Sequence, residues 1–318
     1  MSSHDASNHT APSRFVQFCQ LWLKLTISLK RGTHSQSTRL FQCQKSLSRG
    51  FLVVASIAAA AAFALPFAAA ASTPSTRLVE SSLLLGFVTV AALVVALGEL
   101  SRQAGPGNLS RATALLGVLV ALDAALRLIP SLLGASPIFV LIILVGYVFG
   151  PAFGFTMGAL TLILSAIITA GVGPWLPFQM ICATWIGAGA GLIPSTTRTS
   201  KQRLYLAGYG ALVGMLFGAL MNLYSWPFSA PGTDIEQSLY WVPGLSLAET
   251  LQRYWHFYLT TSLVHDAARA ITTAALLLVA GPPIVRMLLR FRLQVSWSEM
   301  QKGGREPVTP SRPVHSGD

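Results

Sequence analysis

Residues 136–171 read SPIFVLIILVGYVFGPAFGFTMGALTLILSAIITAG, a stretch without one charged side chain, interrupted only at Gly150-Pro151. A helix needs about 20 residues to cross a hydrocarbon core of roughly 30 Å, and a Gly-Pro pair is a natural connector. The stretch therefore predicts two apolar helices joined by a tight turn. Gly146, Gly150, Gly154 and Gly158 recur at four-residue intervals across it, the spacing of one helix face, so a closely packed hairpin is expected.

The pattern extends over most of the chain, as apolar runs at Phe51–Ser72, Ser82–Leu97, Ala112–Ile129, Ser136–Gly150, Ala152–Gly171, Phe178–Ile193, Leu204–Tyr224 and Trp255–Ala280. Of 318 residues, 53% are hydrophobic and 10% charged, against about 25% charged in soluble domains. The reading is an all-α integral membrane protein with about eight transmembrane helices, the shorter ones borrowing flanking residues or ending inside the bundle.

Lys plus Arg number 22 against 11 Asp plus Glu. With the amino terminus in the cytoplasm, 18 basic residues fall on the inner side: seven before the first span, Arg102 and Arg111, then Arg198, Lys201 and Arg203, and six after Ala280. Arg77 and Arg253 lie outside, and Arg127 and Arg269 within spans. This is the positive-inside pattern. It places both termini in the cytoplasm and accounts for the basic balance without nucleic acid. Cys19, Cys43 and Cys182 have no CxxC spacing, so neither a disulfide framework nor a zinc site is expected. No cofactor is implied, and without a GxxxxGK[ST] loop an ATP-driven process would need another chain.

Residues 1–50 read as a cytoplasmic tail, either partly disordered or carrying a short amphipathic helix with Phe15, Phe18, Trp22, Leu25 and Leu29 on one face. Residues 51–111 hold two additional transmembrane helices. The run ending near Ala69-Ala70-Ala71 also describes a cleavable signal, but it is long for a signal core of about 7–15 residues, which favours a retained helix. Residues 282–318 form a basic cytoplasmic tail.

An intramembrane charge costs about 3 kcal/mol on insertion scales and usually faces a bundle interior. Asp123 and Arg127 stand four apart, and Asp266 and Arg269 three apart beside His265, spacings that allow pairing on one helix face. In the last span Trp255, Tyr258, Ser262, Asp266, Arg269 and Thr273 make a single polar stripe expected to face inward. Two readings stay open. Asp123–Arg127 and Asp266–Arg269 are structural ion pairs, or Arg127, Trp255 and Tyr258 with neighbouring His256 line a ligand cavity open to the outside. Ala121 and Ala125 point about 200° away from the charged pair, a small-residue face for a neighbouring helix. Gly210, Gly214 and Gly218 lead to Asn222, whose amide meets either another helix or a ligand. Two outer connections, Gly171-Val-Gly-Pro-Trp-Leu-Pro-Phe-Gln-Met180 and Asn222-Leu-Tyr-Ser-Trp-Pro-Phe228, join rings to prolines. They are an aromatic belt, or a stiff wall for a small molecule with Trp175, Gln179 and Trp226 as contacts.

Six segments carry a family resemblance: Ala125–Pro130 (ALRLIP), Gly134–Pro137 (GASP), Gly150–Gly154 (GPAFG), Gly171–Met180, Met221–Phe228 (MNLYSWPF) and Thr261–Asp266 (TSLVHD). From Ala112 to about Arg290 the chain resembles the substrate-binding S component of an energy-coupling factor (ECF) transporter, in a form common in actinobacteria. The resemblance implies a six-helix core over residues 112–281 and capture of a vitamin-like small molecule at the outer face. A transmembrane T subunit would meet Ala121 and Ala125, and two cytoplasmic ATPase subunits would supply the absent phosphate loop. The ligand would be released inward as the subunit topples in the bilayer, with Arg127, Gln179, Asn222 and the last-helix stripe as its polar partners. Members resembling this chain are linked to cobalamin uptake, and a Trp-lined, Gly-rich cavity suits a corrinoid, while a thiamine precursor or another flat heterocycle is the other expectation. No metal-binding form matches, His256 and His265 being nine apart. Competing readings are a stand-alone secondary transporter coupled to ions through Asp123 and Asp266, and a membrane enzyme using His265 and Asp266. Adjacent helical residues point about 100° apart, which disfavours the enzyme.

Overall fold

The computed structural model describes residues 50, 53–64, 67, 74–104, 109–129, 135–194, 199–228, 239–242 and 244–303. The amphipathic segment 15–29 and Ala69–Ala71 lie outside the described residues. Among the described residues the secondary structure is entirely helical: α1 (Val53–Ala64), α2 (Pro74–Ala104), α3 (Leu109–Leu126), α4 (Ile138–Phe149), α5 (Pro151–Ile168), α6 (Leu176–Ala190), α7 (Thr199–Ser225) with a 3-10 turn at Trp226–Phe228, α8 (Leu247–Thr261), α9 (Leu263–Val279) and α10 (Gly281–Gly303).

Each of the eight apolar runs holds a helix among its described residues, yet length separates them. Ser82–Ser101, Leu109–Leu126, Pro151–Ile168 and Thr199–Phe228 are long and apolar enough to cross a membrane, and α8 with α9 makes a fifth span if that bent pair is counted as one. At about 1.5 Å rise per residue, the 12 residues of α4 and the 15 of α6 fall short of a roughly 30 Å core. Burial explains how α4 tolerates this: 10 of its 12 residues are shielded by other helices, so its ends need not reach the interface. The chain is a multi-pass helical membrane protein with four or five candidate spans among the described residues rather than eight of equal standing.

The last span departs most from expectation. It starts at Leu247, eight residues ahead of Trp255, because Ser246 and Glu249 form a capping box: Glu249 N–H donates to Ser246 Oγ at 3.3 Å, and Ser246 N–H to Glu249 Oε2 at 2.9 Å. Such reciprocal bonds satisfy free amides at a helix start. It then breaks at Ser262 by 66°. Thr260 and Thr261 turn their hydroxyls back onto the carbonyls of His256 and Phe257, at 2.8 and 2.7 Å, a bonding pattern that bends helices. The polar stripe is therefore divided between two helices. Beyond Ala280 the basic segment opens as a helix, α10, with Val285 and Leu288 buried in the main core.

Gly150, at φ 98°, turns the chain between α4 and α5, a conformation that glycine adopts without steric cost. The glycine stripe serves the expected hairpin, a methyl on Gly154 falling 2.7 Å from Gly146 Cα, and a further neighbour besides. A methyl group on Gly146 or Gly154 would strike the Gly187 carbonyl, and one on Gly158 the Ala183 carbonyl, so the stripe beds α4 and α5 onto α6. Gly210, Gly214 and Gly218 likewise clear room on α7 for Leu277, Ala270 and Asp266 of α9. Against α6 and α7, α1 packs Ala59, Ala62 and Phe63 in one cluster with Phe178, Ile181, Cys182 and Tyr224. Trp185 Nε1 donates to Ser56 Oγ at 3.1 Å, and Ser82 Oγ of α2 to the Pro174 carbonyl at 2.9 Å.

Candidate functional site

The sequence-predicted site residues gather at one end of the bundle, where α3, α5 and α7 finish and α6 and α8 begin. Arg127 sits in the turn after α3. Its Nη1 donates to Ser165 Oγ at 2.9 Å and its Nη2 to Gln179 Oε1 at 3.4 Å, so α5 and α6 supply uncharged acceptors. Asp123, one turn deeper, is fully buried with both carboxylate oxygens unpartnered. The Thr161 hydroxyl lies beside it, outside hydrogen-bonding geometry and also unpartnered. The expected Asp123–Arg127 ion pair is thus not formed. A long basic side chain near a helix end gains more by reaching the half-exposed rim than by carrying its charge down to a buried carboxylate.

Asp266 and Arg269 do pair, at 2.6 Å, with side chains 3% and 16% exposed. Arg269 also donates to the Gly214 carbonyl at 3.4 Å and lies over the Phe217 ring at 5.5 Å. Gly218 leaves the space that the Asp266 carboxylate fills. His265 is exposed whereas Asp266 is buried, so these neighbours do not share a site.

The break at Ser262 changes which face of α8 looks inward. Trp255 is 57% exposed and His256 is also exposed, while Tyr254 is half-buried and Phe257 and Tyr258 are buried. Extending a 3.6-residue period back from Asp266 across a helix that is not continuous put Trp255 on the wrong side. Trp255 still stacks on Tyr258, ring centroids 6.2 Å apart. His256 borders a separate polar hollow of about 380 Å³ with Glu249, Gln252 and Arg253.

A cavity of about 550 Å³ opens at this end. Trp226 backs it, fully buried and held by an Nε1 bond to the Leu239 carbonyl at 2.9 Å. Arg253 donates to the Tyr240 carbonyl at 3.2 Å, and these two bonds fix the strand of chain that presents Trp241. Leu223, Leu245, Thr250, Leu251 and Tyr254 continue the lining, with Ala64 and Phe67 on the remaining side and no charged residue anywhere in it. The rings form a chain: Phe67 to Trp241 at 5.6 Å, Phe67 to Trp226 at 6.0 Å, Trp226 to Tyr254 at 5.3 Å, Tyr254 to Tyr258 at 6.4 Å. Trp175 stays outside the cavity, exposed, with Nε1 bonded to the Gly171 carbonyl at 3.2 Å. Asn222 is half-buried and its Nδ2 has no partner. Ala121 and Ala125 are exposed on α3. Among the described residues, no three of His, Cys, Asp and Glu gather as a metal-holding group.

Sequence reasoning missed Ser165, Phe67 and Tyr254 as parts of this end, and did not single out Trp241 of the long outer loop 225–253 as a contact. The Ser-Leu-Ala-Glu capping signature at 246–249 was the signal for Tyr254, since it starts α8 early enough to bring that residue inward.

A family model described as ECF transporter, substrate-specific component, matches residues 111–281. The chain belongs to that family. No curated protein and no solved structure matches it. The S-component region begins within α3 and ends at the first residue of α10, so α1 and α2 precede it. S components are subunits of transporters and not enzymes, and membership implies a small-molecule substrate with T and ATPase subunits as partners.

Proposed function

We propose that this S component captures a vitamin-like ligand in the ring-lined cavity at its tryptophan-bearing end, that this end faces outward with both termini in the cytoplasm, and that T and two ATPase subunits drive delivery. The observation that carries the reading is the cavity itself: about 550 Å³, apolar and uncharged, walled by Phe67, Trp241 and Tyr254 in front of Trp226. Small-molecule sites are apolar hollows of about 300–1,000 Å³ with few polar handles. Here the handle in the lining is Thr250, since the Tyr254 hydroxyl already donates to the Ala219 carbonyl at 2.6 Å, with Asn222 and the Arg127–Gln179 pair at the same end. Arg127, Gln179, Asn222, Trp226 and Tyr258 remain assigned to binding or to backing the cavity. The exposure of Trp255 and His256 argues against them, and Trp175 serves the rim.

Cobalamin is the first ligand in view, from the actinobacterial resemblance. A corrinoid exceeds this volume and would lie across the mouth with one edge inserted, whereas a thiamine precursor would fit inside. The exposed face bearing Ala121 and Ala125 suits the T subunit, since small residues permit close helix approach. The six-helix core is assigned to residues 112–281, with 51–111 as an addition in front and 282–318 as the inner end. Calorimetry of the purified chain with cyanocobalamin and thiamine precursors tests the assignment. Binding lost in Trp241→Ala supports it; binding untouched by that change refutes the cavity as the site.

One observation favours a second reading. Asp123 is buried and unpartnered, the kind of intramembrane acid that ion-coupled carriers use. Uptake by the chain alone in vesicles bearing an ion gradient, without T or ATPase subunits, would establish a secondary transporter.

A further inference from the structure

The family match begins at residue 111, so nothing in it accounts for α1 or for Phe67. We infer that this front segment is part of the binding site, Phe67 being a specificity-determining contact for a flat, largely uncharged heterocycle; the inference rests on the cavity being the ligand site.

Three observations carry it. Ala64 and Phe67 line the cavity, on the side not covered by Trp241 and Tyr254. Phe67 meets the Trp241 ring edge-on, 5.6 Å away with planes at 87°, and also lies 6.0 Å from Trp226. Edge-to-face rings at such distances make a wall against which a planar ligand stacks. Finally, α1 is built into the bundle: Ala59, Ala62 and Phe63 are at most 3% exposed, Phe63 packs edge-on against Phe178 at 4.8 Å, and Trp185 bonds Ser56. Removing the segment would uncover Phe178, Ile181 and Tyr224 and leave the cavity without one side. The front helix is accordingly retained in the working protein and narrows the range of ligands that fit.

The test uses the full chain in lipid nanodiscs and a probe panel of cyanocobalamin, thiamine, its pyrimidine precursor, riboflavin and biotin. The expected result is that Phe67→Ala weakens the bound probe about tenfold, as loss of one stacking ring predicts. Trp241→Ala should do the same, while Ile57→Ala, a 64% exposed position of α1, leaves affinity unchanged. Should Phe67→Ala fold poorly, Phe67→Cys with Cys19 and Cys43 changed to Ser is purified folded and then alkylated, and alkylation should block binding. Intact mass should show residues 53–67 still present. Unchanged affinity in Phe67→Ala beside a loss in Trp241→Ala overturns this inference and leaves the cavity standing, as does a mature chain lacking the segment. No loss in either variant, or silence toward the whole panel, overturns the cavity reading and the inference with it.

Discussion

Replacing Arg269 by Gln should be far more damaging than the same change at Arg127, although both are arginines within predicted spans. Arg269 is the counter-ion of Asp266, whose side chain is 3% exposed and whose second oxygen already lacks a partner. Removing one member of a buried pair strands the other charge and costs about 3–5 kcal/mol. Arg127 has no carboxylate partner and loses only bonds to Ser165 and Gln179, one of them long, in a half-exposed setting, which is about 1–2 kcal/mol. The double change Asp266→Asn with Arg269→Gln removes both charges and should recover most of the loss. Reversible unfolding of the purified chain in mixed detergent and SDS micelles measures all four proteins. If Arg269→Gln cost under about 1 kcal/mol, or if the double variant were no more stable than the single one, the buried Asp266 would not depend on Arg269 as its counter-ion and the reasoning would fail.

Other consequences are accessible to the same preparation. Gly154→Ala should destabilise by about 3 kcal/mol or more because its methyl meets backbone of α6 rather than a yielding side chain. Gly208→Ala, with nothing within 4 Å, should be neutral or stabilising by up to about 1 kcal/mol; equal effects would show that α5 and α6 are not in backbone contact. Trp255→Ala and His256→Ala should leave ligand affinity within about twofold, whereas Tyr258→Ala should cost about 3 kcal/mol of stability as a buried ring; a binding loss at Trp255 would restore the inward stripe. Cys182, 2% exposed, should resist maleimide in the native chain and react only on unfolding, and rapid native labelling would contradict its burial between α1 and α6.

The membrane class and the positions of the apolar segments were legible in sequence because both follow from local quantities: hydropathy over about 20 residues and Gly-Pro punctuation. The family was legible for a related reason, since motifs such as Gly171–Met180 keep their order whatever they touch. Partner choice was not local. Asp123 lies one turn from Arg127 in every helical reading, and only the presence of Ser165 and Gln179 on other helices drew the guanidinium away. The stripe through Trp255 assumed one continuous helix, and a bend at Ser262 rotates everything before it. The glycines announced close packing without naming α6 as the partner. Phe67 entered the cavity through a contact with Trp241, a residue 174 positions later, which no periodicity encodes. Sequence alone therefore determined the membrane class, where the apolar helices lie and which family the chain joins. Tertiary packing decided which polar groups meet and what encloses the cavity, because those depend on distances between residues that the chain itself keeps far apart.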